Sequence, residues 1–519
     1  MNEPNFESEK LSESQPWLPH LKPKPTRITD FFSEITAPAS RYRSLLSGRE
    51  KLSLSFKQKI TALSEIGDSF HFENSLDSIP LHWQIIVNYL YEAGIAASPK
   101  IIFESLFNDE PKVHILRFPL ASIENLTDGN SHLNHSGLGS SCEINEAISK
   151  AIGELLERYT LTIYRNAELL QASVDDLKIK SFHFLNPFLA ASFSEAQKQK
   201  FPNRRFNNQS KFRWAEGKSL MTGSRAFIPA QMVFWNYRLA VDEPFIQQST
   251  TNGNGGMFTL EEAILSGLYE LIERDAFLVY WFNSIAPRRI RKDSLKNPKF
   301  QELLSDINRY NIDIEILDIT SDLGIPVFAV VLLDHSKQGP AVILASSCGP
   351  DPEVLVLRII NEALLVRHLQ RERMDSPYPD LPESYEPFSL PIGHFDRVKL
   401  WANPKMMNNI DFFLSGPIVS IEEYRSHLKM PTNPNERLKK HTELFQKKGE
   451  EYEIFYYEAK HPALKALGYR VVSVNVPALI PLHLHETCAS LGAERISETC
   501  LNMGYKLPSA INSIPHPFP

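Results

Sequence analysis

Residues 146–158 read EAISKAIGELLER, and residues 262–274 read EAILSGLYELIER. The two stretches align without a gap, since both begin with Glu-Ala-Ile and both end with Glu-Leu, one apolar residue and Glu-Arg. The offset is constant at 116 residues, because 270 minus 154 and 273 minus 157 give the same difference. Duplicated segments at a fixed separation indicate two related structural units. We therefore expect a fold with an internal pseudo-repeat.

Each copy has the pattern of an amphipathic helix that carries a carboxylate pair beside its apolar stripe. In the first copy, apolar residues return every three or four positions from Ile148 to Tyr159. Glu154 and Glu157 lie three apart, so they are neighbours on one turn of the helix. The pairing of Thr259 with the glutamate three residues later predicts a capping box at the start of the second helix. Ser140 and Glu143 predict the same motif for the first helix.

The duplicated carboxylates have two possible meanings. Taken alone, either copy is a solvated helix face with local Glu–Arg pairs, which contribute little to stability. Two copies with identical spacing favour a second interpretation, in which the units face each other and their carboxylates converge. The converging carboxylates would be Glu154, Glu157, Glu270 and Glu273. Oxygen ligands suit Mg²⁺, which is held by a few carboxylates and substrate phosphates.

Arginines accompany these carboxylates and supply the forked donor that phosphates prefer. Arg158 and Arg274 close the two repeats. A later helix adds Arg358 and Glu362, within the stretch RIINE, which by themselves read as an ordinary helix ion pair. The pattern therefore predicts a nucleotide–magnesium site that lacks a Gly-rich phosphate loop.

Composition excludes several classes of protein. Hydrophobic residues make up 42% of the 519 residues, which is enough for a sizeable core, and the formal net charge of −7 gives no general attraction to nucleic acid. No apolar run approaches the length that crosses a bilayer, and the start, MNEPNFESEK, is not a secretory signal. The four cysteines form no CxxC pair, so we expect a cytoplasmic protein.

The chain divides by composition into an arm, a helical region and a larger body. Residues 1–28 are rich in Pro, Ser and Glu and predict a disordered arm. The helical region, 29–110, ends in a segment that reads either as a helix-turn-helix unit or as a cap on the main body. In the body, 111–519, strand-like and helical stretches alternate, which predicts a layered α/β or α+β fold with a Pro-rich insertion near 374–393.

The predicted elements of the body follow from periodicity. Runs of β-branched residues predict strands at 312–320, 326–334, 340–347 and 469–476. The helical period predicts helices at 143–164, 259–282, 353–371 and 484–503.

The motifs in this order resemble those of the YcaO family from about residue 112 onward. Besides the two ExxER helices and RIINE, the matching stretches are GLGSS (137–141), WAEGKSL (214–220), IPA (228–230), TTNG (250–253), GIPV (324–327), VPALIPLH (476–483) and LGAERI (491–496). The resemblance implies an α/β body with internal pseudo-symmetry. It also implies ATP and Mg²⁺ as cofactors, and an ATP-dependent peptide cyclodehydratase that turns Cys, Ser or Thr of a ribosomal precursor peptide into thiazoline or oxazoline.

The resemblance also implies roles for individual residues. Magnesium ligands would be Glu154, Glu157, Glu270 and Glu273. Nucleotide-binding residues would be Glu154, Arg158, Thr251, Asn252, Glu270, Arg358 and Glu362. Arg274, at the end of the second ExxER motif, would be catalytic. The terminal PHPFP is similar to the tail of azoline-forming members, so the carboxylate of Pro519 would be catalytic as well.

Other functions of the family stay open at this point. A thioamide- or amidine-forming enzyme would use the same nucleotide site with another nucleophile. Met257-Phe258 and Leu365 stand where relatives often have Gly-Asn and Gln, and this departure admits a non-catalytic homologue that binds a peptide or a partner.

The resemblance implies several partners besides the precursor peptide. They are a ubiquitin-activating-enzyme-like protein that binds the leader, a flavin dehydrogenase for some members, and a second copy of the chain in a homodimer. No membrane or nucleic-acid partner is expected.

Overall fold

The structure is a computed structural model that describes residues 79–130, 135–372, 392–425 and 430–518, together with Met374, Leu381, Tyr385 and Glu386. The described strands are β1 (Ile102–Phe103), β2 (His114–Pro119), β3 (Ser136–Ser141), β4 (Leu170–Ser173), β5 (Lys211–Ser219), β6 (Arg225–Pro229), β7 (Asn254–Met257), β8 (Arg288–Ile290), β9 (Ile312–Asp318), β10 (Val327–Asp334), β11 (Val342–Cys348), β12 (Ile418–Val419), β13 (Phe455–Glu458) and β14 (Arg470–Asn475). The described α-helices are α1 (Leu81–Glu92), α2 (Ile144–Thr162), α3 (Val174–Ile179), α4 (Pro187–Ala190), α5 (Glu195–Lys200), α6 (Ala230–Val233), α7 (Leu260–Phe282), α8 (Pro298–Arg309), α9 (Pro352–Arg371), α10 (His394–Ala402), α11 (Glu422–Arg425), α12 (Pro434–Lys448), α13 (Pro462–Leu467) and α14 (Glu494–Asn502).

Three sheets organise the body. The first has the order β1-β2-β3 and is antiparallel. The second has the order β11-β10-β9-β8-β12, in which only β12 and β8 pair in parallel. The third has the order β4-β5-β13-β14-β7, with β6 paired to β5. Long helices pack on these sheets, so the mixed, layered fold class expected from the sequence is confirmed.

The repeat is a strand followed by a helix that lies against it. In the first unit β3 leads into α2, and in the second β7 leads into α7. The strands approach their helices so closely that a Cβ on Gly139 would meet the carbonyl oxygen of Ala147 at 1.9 Å, and one on Gly255 would meet that of Ala263 at 2.3 Å. Both glycine–alanine pairs keep the offset of 116 residues (255 minus 139, 263 minus 147). The repeat thus extends back to the strands, which the helix pattern alone did not indicate.

The longest helix of the body is almost entirely buried. Helix α7 packs against β7, β14 and β11, so it is enclosed on several sides and needs no polar face along most of its length. Thr259 caps it as predicted, because its hydroxyl accepts a hydrogen bond from the Glu262 amide at 3.2 Å. The Glu262 carboxylate accepts from this hydroxyl, so only the Thr259 half of the predicted capping box forms. Helix α2 begins differently. Ser140 lies on β3 and donates to the Asn361 carbonyl, and the helix starts at Ile144 without a side-chain cap, so the predicted capping box at Ser140 is wrong.

Most predicted elements of the body are present within a few residues of their expected bounds. The exception is the helix expected at 484–503, where the chain forms a short 3-10 turn, Glu486–Cys488, and then helix α14. The backbone just before the turn, at His485, is extended, and Gln248 accepts hydrogen bonds from the amides of Leu484 and His485 there, so no helix begins at 484.

Helix α1 packs as a cap on the main body. Its Trp83 is 2% exposed and donates its indole N–H to the Asn145 side chain on α2 at 2.9 Å. Within the range 29–110, the described residues hold this helix and strand β1, which joins the first sheet. The arm at 1–28 lies outside the described residues, as does most of the Pro-rich insertion, and the domain bounds stay predictions. None of the helices in the described ranges is long and apolar enough to cross a membrane.

Candidate functional site

The first glutamate of each ExxER segment is held by the strand that precedes its helix. Glu154 accepts a hydrogen bond from the backbone amide of Leu138, and Glu270 accepts one from the amide of Gly253 at 3.0 Å. The close approach of the glycine-containing strands makes these contacts possible, since a larger residue would hold strand and helix apart. The two glutamates therefore occupy equivalent positions in the repeat, and a backbone amide orients each of them. The two donors differ by one position, because the counterpart of Leu138 at the offset of 116 is Asn254 and not Gly253.

Carboxylates from three helices converge at this place. The surrounding protein raises the pKa of Glu157 well above its ordinary value, and the nearby charges of Glu270 and Glu154 raise it further. Burial also raises the pKa of Glu154 and of Glu270, and the charge of Glu362 on α9 adds to both shifts. The side chains of Glu154 and Glu270 remain 30% and 25% exposed, so they line an open recess.

Glu273 is the most enclosed carboxylate of the cluster. It is 7% exposed and accepts a hydrogen bond from the Ser346 hydroxyl on β11 at 2.8 Å. Burial raises its pKa to about 8, and the charges of Glu362 and Glu270 contribute to this rise while Arg274 opposes it. A carboxyl group with this pKa is mostly protonated near neutral pH unless a cation is added. The cluster thus has a deficit of positive charge, which is the condition that a bound Mg²⁺ would relieve.

The two arginines of the repeat have different surroundings. Arg158 pairs with Glu154 at 2.6 Å, donates to the Ser136 carbonyl at 2.6 Å and lies 5.3 Å from the ring centre of Trp235. Arg274 makes longer contacts, 3.4 Å to Glu270 and 3.3 Å to Glu273. Its Nε and Nη1 atoms are buried and lack a hydrogen-bond partner. Arg274 therefore has two donor atoms without a hydrogen-bond partner, Nε and Nη1, whereas Arg158 binds through both Nη atoms and leaves only its Nε without one.

The polar turn before β7 lies against the segment that contains VPALIPLH. The Asn252 side chain donates to the Leu482 carbonyl at 2.8 Å, and the Asn254 amide donates to the Thr251 carbonyl at 3.0 Å. The structure thus places Thr251 and Asn252 directly before Gly253, whose amide binds Glu270. The Asn254 side-chain nitrogen is buried without a hydrogen-bond partner.

Helix α9 carries the predicted site residues Arg358 and Glu362, which lie in different surroundings. Glu362 lies in the carboxylate cluster, as its effect on Glu154, Glu270 and Glu273 shows. Arg358 is exposed, one turn earlier on α9, and its charge lowers the pKa of Glu146 near the start of α2. Arg358 therefore lies near the start of α2.

The last described residues run along α7 toward the ExxER segment. Trp281 donates to the Ile514 carbonyl at 2.9 Å, Phe277 packs on the ring of Phe518 at 5.1 Å, and the guanidinium of Arg274 lies 4.0 Å from the centre of that same ring. Phe518 is 2% exposed. The described part of the tail thus follows α7 and reaches Arg274 at Phe518. Pro519 lies outside the described residues.

A buried arginine holds this tail in place. Arg397 on α10 contacts the imidazole of His516 at 3.0 Å and the Phe518 carbonyl at 3.4 Å, and it pairs with Glu486 at 3.2 Å. Burial lowers the pKa of His516 well below its ordinary value, and the Arg397 charge lowers it further. A neutral imidazole can accept from the guanidinium without adding a second positive charge. The sequence indicated the tail but not its contacts with Arg397. Helix α10, which carries Arg397, follows the Pro-rich segment and lies far from any recognised motif.

The departures from the family pattern pack as apolar residues. Phe258 lies 5.3 Å from Tyr469 in an edge-to-face pair, and Leu365 packs against the core between α9 and the second sheet. Tyr469 in turn lies within the electrostatic reach of Glu157. Phe258 therefore borders the carboxylate cluster through Tyr469, and the side chains of Phe258 and Leu365 are apolar.

Comparison with protein families identifies the chain. A family model described as "YcaO cyclodehydratase, ATP-ad Mg2+-binding" matches residues 138–480. This match covers most of the chain, and the chain therefore belongs to the YcaO family. The expectation of ATP and Mg²⁺ as cofactors is confirmed at the level of the family, as is the expectation of an ATP-dependent class of enzyme.

A curated relative shares part of this body. The chain is 31% identical over 161 residues to an uncharacterized protein in the tfuA 3′ region of Rhizobium leguminosarum bv. trifolii, a match that covers 29% of this chain and 37% of that protein. The chain thus spans well under half the length of this relative, and the match carries no specific activity.

Solved structures share the fold. A heterocyclase in complex with substrate and cofactor superposes with a TM-score of 0.67 at 20% identity, over 90% of this chain and 57% of that one. YcaO from Methanopyrus kandleri, bound with AMPPCP and Mg²⁺, gives 0.54 at 16% identity, over 77% and 91%. The E. coli microcin synthetase McbBCD complex with pro-MccB17 bound gives 0.52 at 15% identity, over 81% and 96%. At these identities the similarity establishes the fold alone.

Proposed function

We propose that this protein is an ATP- and Mg²⁺-dependent cyclodehydratase that converts Cys, Ser or Thr residues of a ribosomal precursor peptide into thiazoline or oxazoline. The observation that carries the proposal is the convergence of five carboxylates from three helices beside Arg274 and the end of the tail. The heterocyclase and microcin synthetase among the similar folds agree with a peptide substrate.

The cluster fits a magnesium-bound nucleotide. Carboxylates whose pKa values are raised by burial and by one another are stabilised by an added divalent cation. We assign Glu154, Glu157, Glu270 and Glu273 as the residues that hold Mg²⁺. Bound ATP would supply a phosphoryl group that makes the peptide's amide oxygen a leaving group.

The remaining nucleotide contacts come from the rest of the recess. Arg274 has buried donors without hydrogen-bond partners, so it is our first candidate for a phosphate contact. Arg358 would also bind the nucleotide, and Glu362 would complete the acidic wall. Thr251 and Asn252 shape the turn that carries the Gly253 amide. Arg158 also stays assigned to the nucleotide site, mainly as the group that orients Glu154.

The reaction balances as follows. The substrate thiol or hydroxyl attacks the preceding amide carbon, so that a C–S or C–O bond forms while the side chain and the amide N–H each lose a proton. The original carbonyl oxygen leaves with the γ-phosphoryl group of ATP as phosphate, and ADP is the other product. The peptide loses the elements of one water for each ring. The general base that we expected to be the Pro519 carboxylate stays a prediction, supported by the position of Phe518 one residue earlier.

The proposed partners are a precursor peptide, a ubiquitin-activating-enzyme-like protein that presents its leader, and in some systems a flavin dehydrogenase that oxidises the ring. A homodimer and a cytoplasmic location stay predictions.

A matched pair of measurements tests the function. The precursor peptide encoded beside the gene, carrying ¹⁸O in the amide oxygen before a cysteine, is incubated with the protein, its neighbouring partner protein, ATP and Mg²⁺. We expect one water lost per ring and ¹⁸O in the released phosphate. Glu273→Gln is expected to lower peptide-dependent ATP hydrolysis by about 100-fold, and the exposed Glu498→Gln serves as the control. Full ATP hydrolysis by Glu273→Gln would show that the metal assignment is wrong.

The same experiment separates the alternatives. A thioamide product would gain mass by exchange of oxygen for sulfur, and an amidine would place the lost water at a backbone amine. A non-catalytic homologue is favoured by the apolar Phe258–Tyr469 pair beside Glu157. In that case calorimetry would detect binding of the peptide but no binding of AMPPCP with Mg²⁺.

A further inference from the structure

A second cluster of ligating groups lies at the C-terminal end of α9, between that helix and the first sheet. Its members are Glu104, just after β1, and His368 and Glu372 at the end of α9. One ligand atom from each of the three lies within 4.8 Å of the others. The family match and the nucleotide site do not account for this cluster, because it stands about six residues along α9 from Glu362, which is roughly 9 Å of helix.

The histidine is prepared to act as a ligand. His368 is fully buried, and its Nδ1 lies 2.8 Å from Oε1 of Glu110. Because a carboxylate accepts, Nδ1 donates to Glu110, and Nε2 is the ring nitrogen that can bind an ion. Nε2 is buried without a hydrogen-bond partner and faces Glu372 Oε1 at 3.7 Å. A carboxylate that fixes the histidine tautomer in this way is the usual second shell of a metal-binding imidazole.

Glu110 is itself held firmly, so the orientation of the imidazole is built in. Its carboxylate accepts from the Phe107 amide at 2.8 Å and pairs with the buried Arg367 at 3.2 Å. Arg367 is 1% exposed and also pairs with Asp334 at 2.6 Å. Glu110, which orients His368, is thus itself held by Arg367, and Arg367 is held by Asp334.

The local charge balance favours a divalent cation. Paired groups in this part of the described chain comprise five carboxylates and three guanidinium groups, namely Glu104, Asp109, Glu110, Asp334 and Glu372 with Arg117, Arg367 and Arg371. The five carboxylates exceed the three guanidinium groups by two negative charges. Lys112 is nearby, but its exposed ammonium binds the Phe107 carbonyl.

Arg117 is a cation that neighbours both carboxylates of this cluster. Its Nε lies 2.5 Å from Glu104 and its Nη2 lies 3.6 Å from Glu372. The Arg117 side chain is 31% exposed, so it has room to turn toward solvent. Glu372 is 37% exposed and gives an entry path, while Glu104 is 12% exposed.

We propose that Glu104, His368 and Glu372 form a binding site for a first-row divalent cation of the Zn²⁺ type, from which Arg117 is displaced when the ion binds. One imidazole and two carboxylates with an open position for water suit such an ion better than Mg²⁺, which prefers oxygen ligands. The ion would join the end of α9 to the first sheet. The site is independent of the nucleotide and of the proposed reaction.

Titration with Co²⁺ tests the site in the full-length protein, because its visible absorption reports ligand geometry. With excess Mg²⁺ present to occupy the carboxylates of the nucleotide site, we expect one saturable Co²⁺ site that Zn²⁺ displaces. His368→Gln and Glu104→Gln should each weaken binding by at least about tenfold, and Glu498→Gln should leave it unchanged. The Glu157→Gln/Glu270→Gln variant, altered in the nucleotide site, should bind Co²⁺ as the unaltered protein does, so failure of the proposed function would not affect this result.

Arg117→Gln is the decisive variant, since it removes the competing cation. We expect it to tighten Co²⁺ binding by about tenfold, equivalent to about 1.4 kcal/mol. A gain in affinity cannot result from misfolding. The site is refuted if no saturable binding occurs, if His368→Gln binds as well as the unaltered protein, or if Arg117→Gln fails to tighten binding.

Discussion

Helices α2 and α7 carry the same ExxER segment, but their arginines have different neighbours. In α2, Arg158 is bonded to Glu154 and to the Ser136 carbonyl of the strand before it. In α7, Arg274 lies under the ring of Phe518 and keeps buried donors without hydrogen-bond partners. The two copies of the segment therefore differ in the contacts of their arginines, because the rest of the chain surrounds them differently.

The difference arises from what covers each helix. The second copy is enclosed by the second sheet, where Ser346 binds Glu273, and by the tail. The first copy has no equivalent tail among the described residues, and Trp235 lies over its arginine instead. We infer that the first copy mainly supports the carboxylates, while the second also binds the reacting groups.

The largest expected effect separates the two arginines. Arg274→Lys should lower the catalytic efficiency of peptide-dependent ATP hydrolysis by about 100-fold, because lysine cannot provide the forked donor at the developing charge. Arg158→Lys keeps the ion pair with Glu154 and should lose less than about tenfold. The measurement is kcat/KM for ATP at saturating peptide. Equal losses in the two variants would contradict the division of roles.

The glycines test what the two copies have in common. Gly139→Ala and Gly255→Ala should each destabilise the fold by about 3 kcal/mol, since the new methyl group meets a helix carbonyl in both units. The measurement is the melting temperature, with Gly393→Ala as control because its Cβ would make only ordinary contacts, the nearest at 3.6 Å. If only one of the two variants is destabilised, the strand–helix units are not equivalent.

The tail is the element that distinguishes the second copy, and Phe518→Ala tests its effect. Loss of the ring over Arg274 should lower turnover about tenfold, in line with a buried cation–π contact. Leu507→Ala changes an exposed residue of the same C-terminal segment and serves as control. Unchanged turnover in Phe518→Ala would show that the ring of Phe518 does not contribute to the reaction.

The smallest expected effect concerns pH. Burial raises the pKa of Glu273 from 4.5 to about 8, so the folded state binds this proton more tightly than the unfolded state does. The associated stability is fully present below pH 4.5 and is lost as the pH rises through 8. The melting temperature of the metal-free protein should therefore fall between about pH 5 and 8, and Glu273→Gln should show a smaller fall.

Magnesium gives a check on the same carboxyl group. Because Mg²⁺ displaces the proton, binding of AMPPCP with Mg²⁺ at pH 7 should release protons, as calorimetry in two buffers of different ionisation enthalpy would show. Glu273→Gln should release fewer. Identical pH slopes and proton release in both proteins would mean that Glu273 does not titrate in this range.

The repeat, the long helices α2, α7 and α9 and the four strands β9, β10, β11 and β14 could be predicted because they depend on local patterns. The capping box at Ser140 failed because β3 continues through that residue and uses its hydroxyl to bind α9. The helix expected at 484–503 was interrupted because Gln248 and neighbouring groups bind the backbone of Leu484 and His485 in an extended form. Both errors come from contacts with residues distant in the sequence.

The sequence by itself determined that two related acidic helices exist, with carboxylates at fixed spacing and a proline-rich tail. These are consequences of helical periodicity and residue type, which each segment carries within itself. Tertiary structure alone decided that Glu362 joins the carboxylates, that Arg274 but not Arg158 lies beside the tail, and that Arg397 holds His516. Those outcomes depend on burial and charge between segments, and no single segment contains that information.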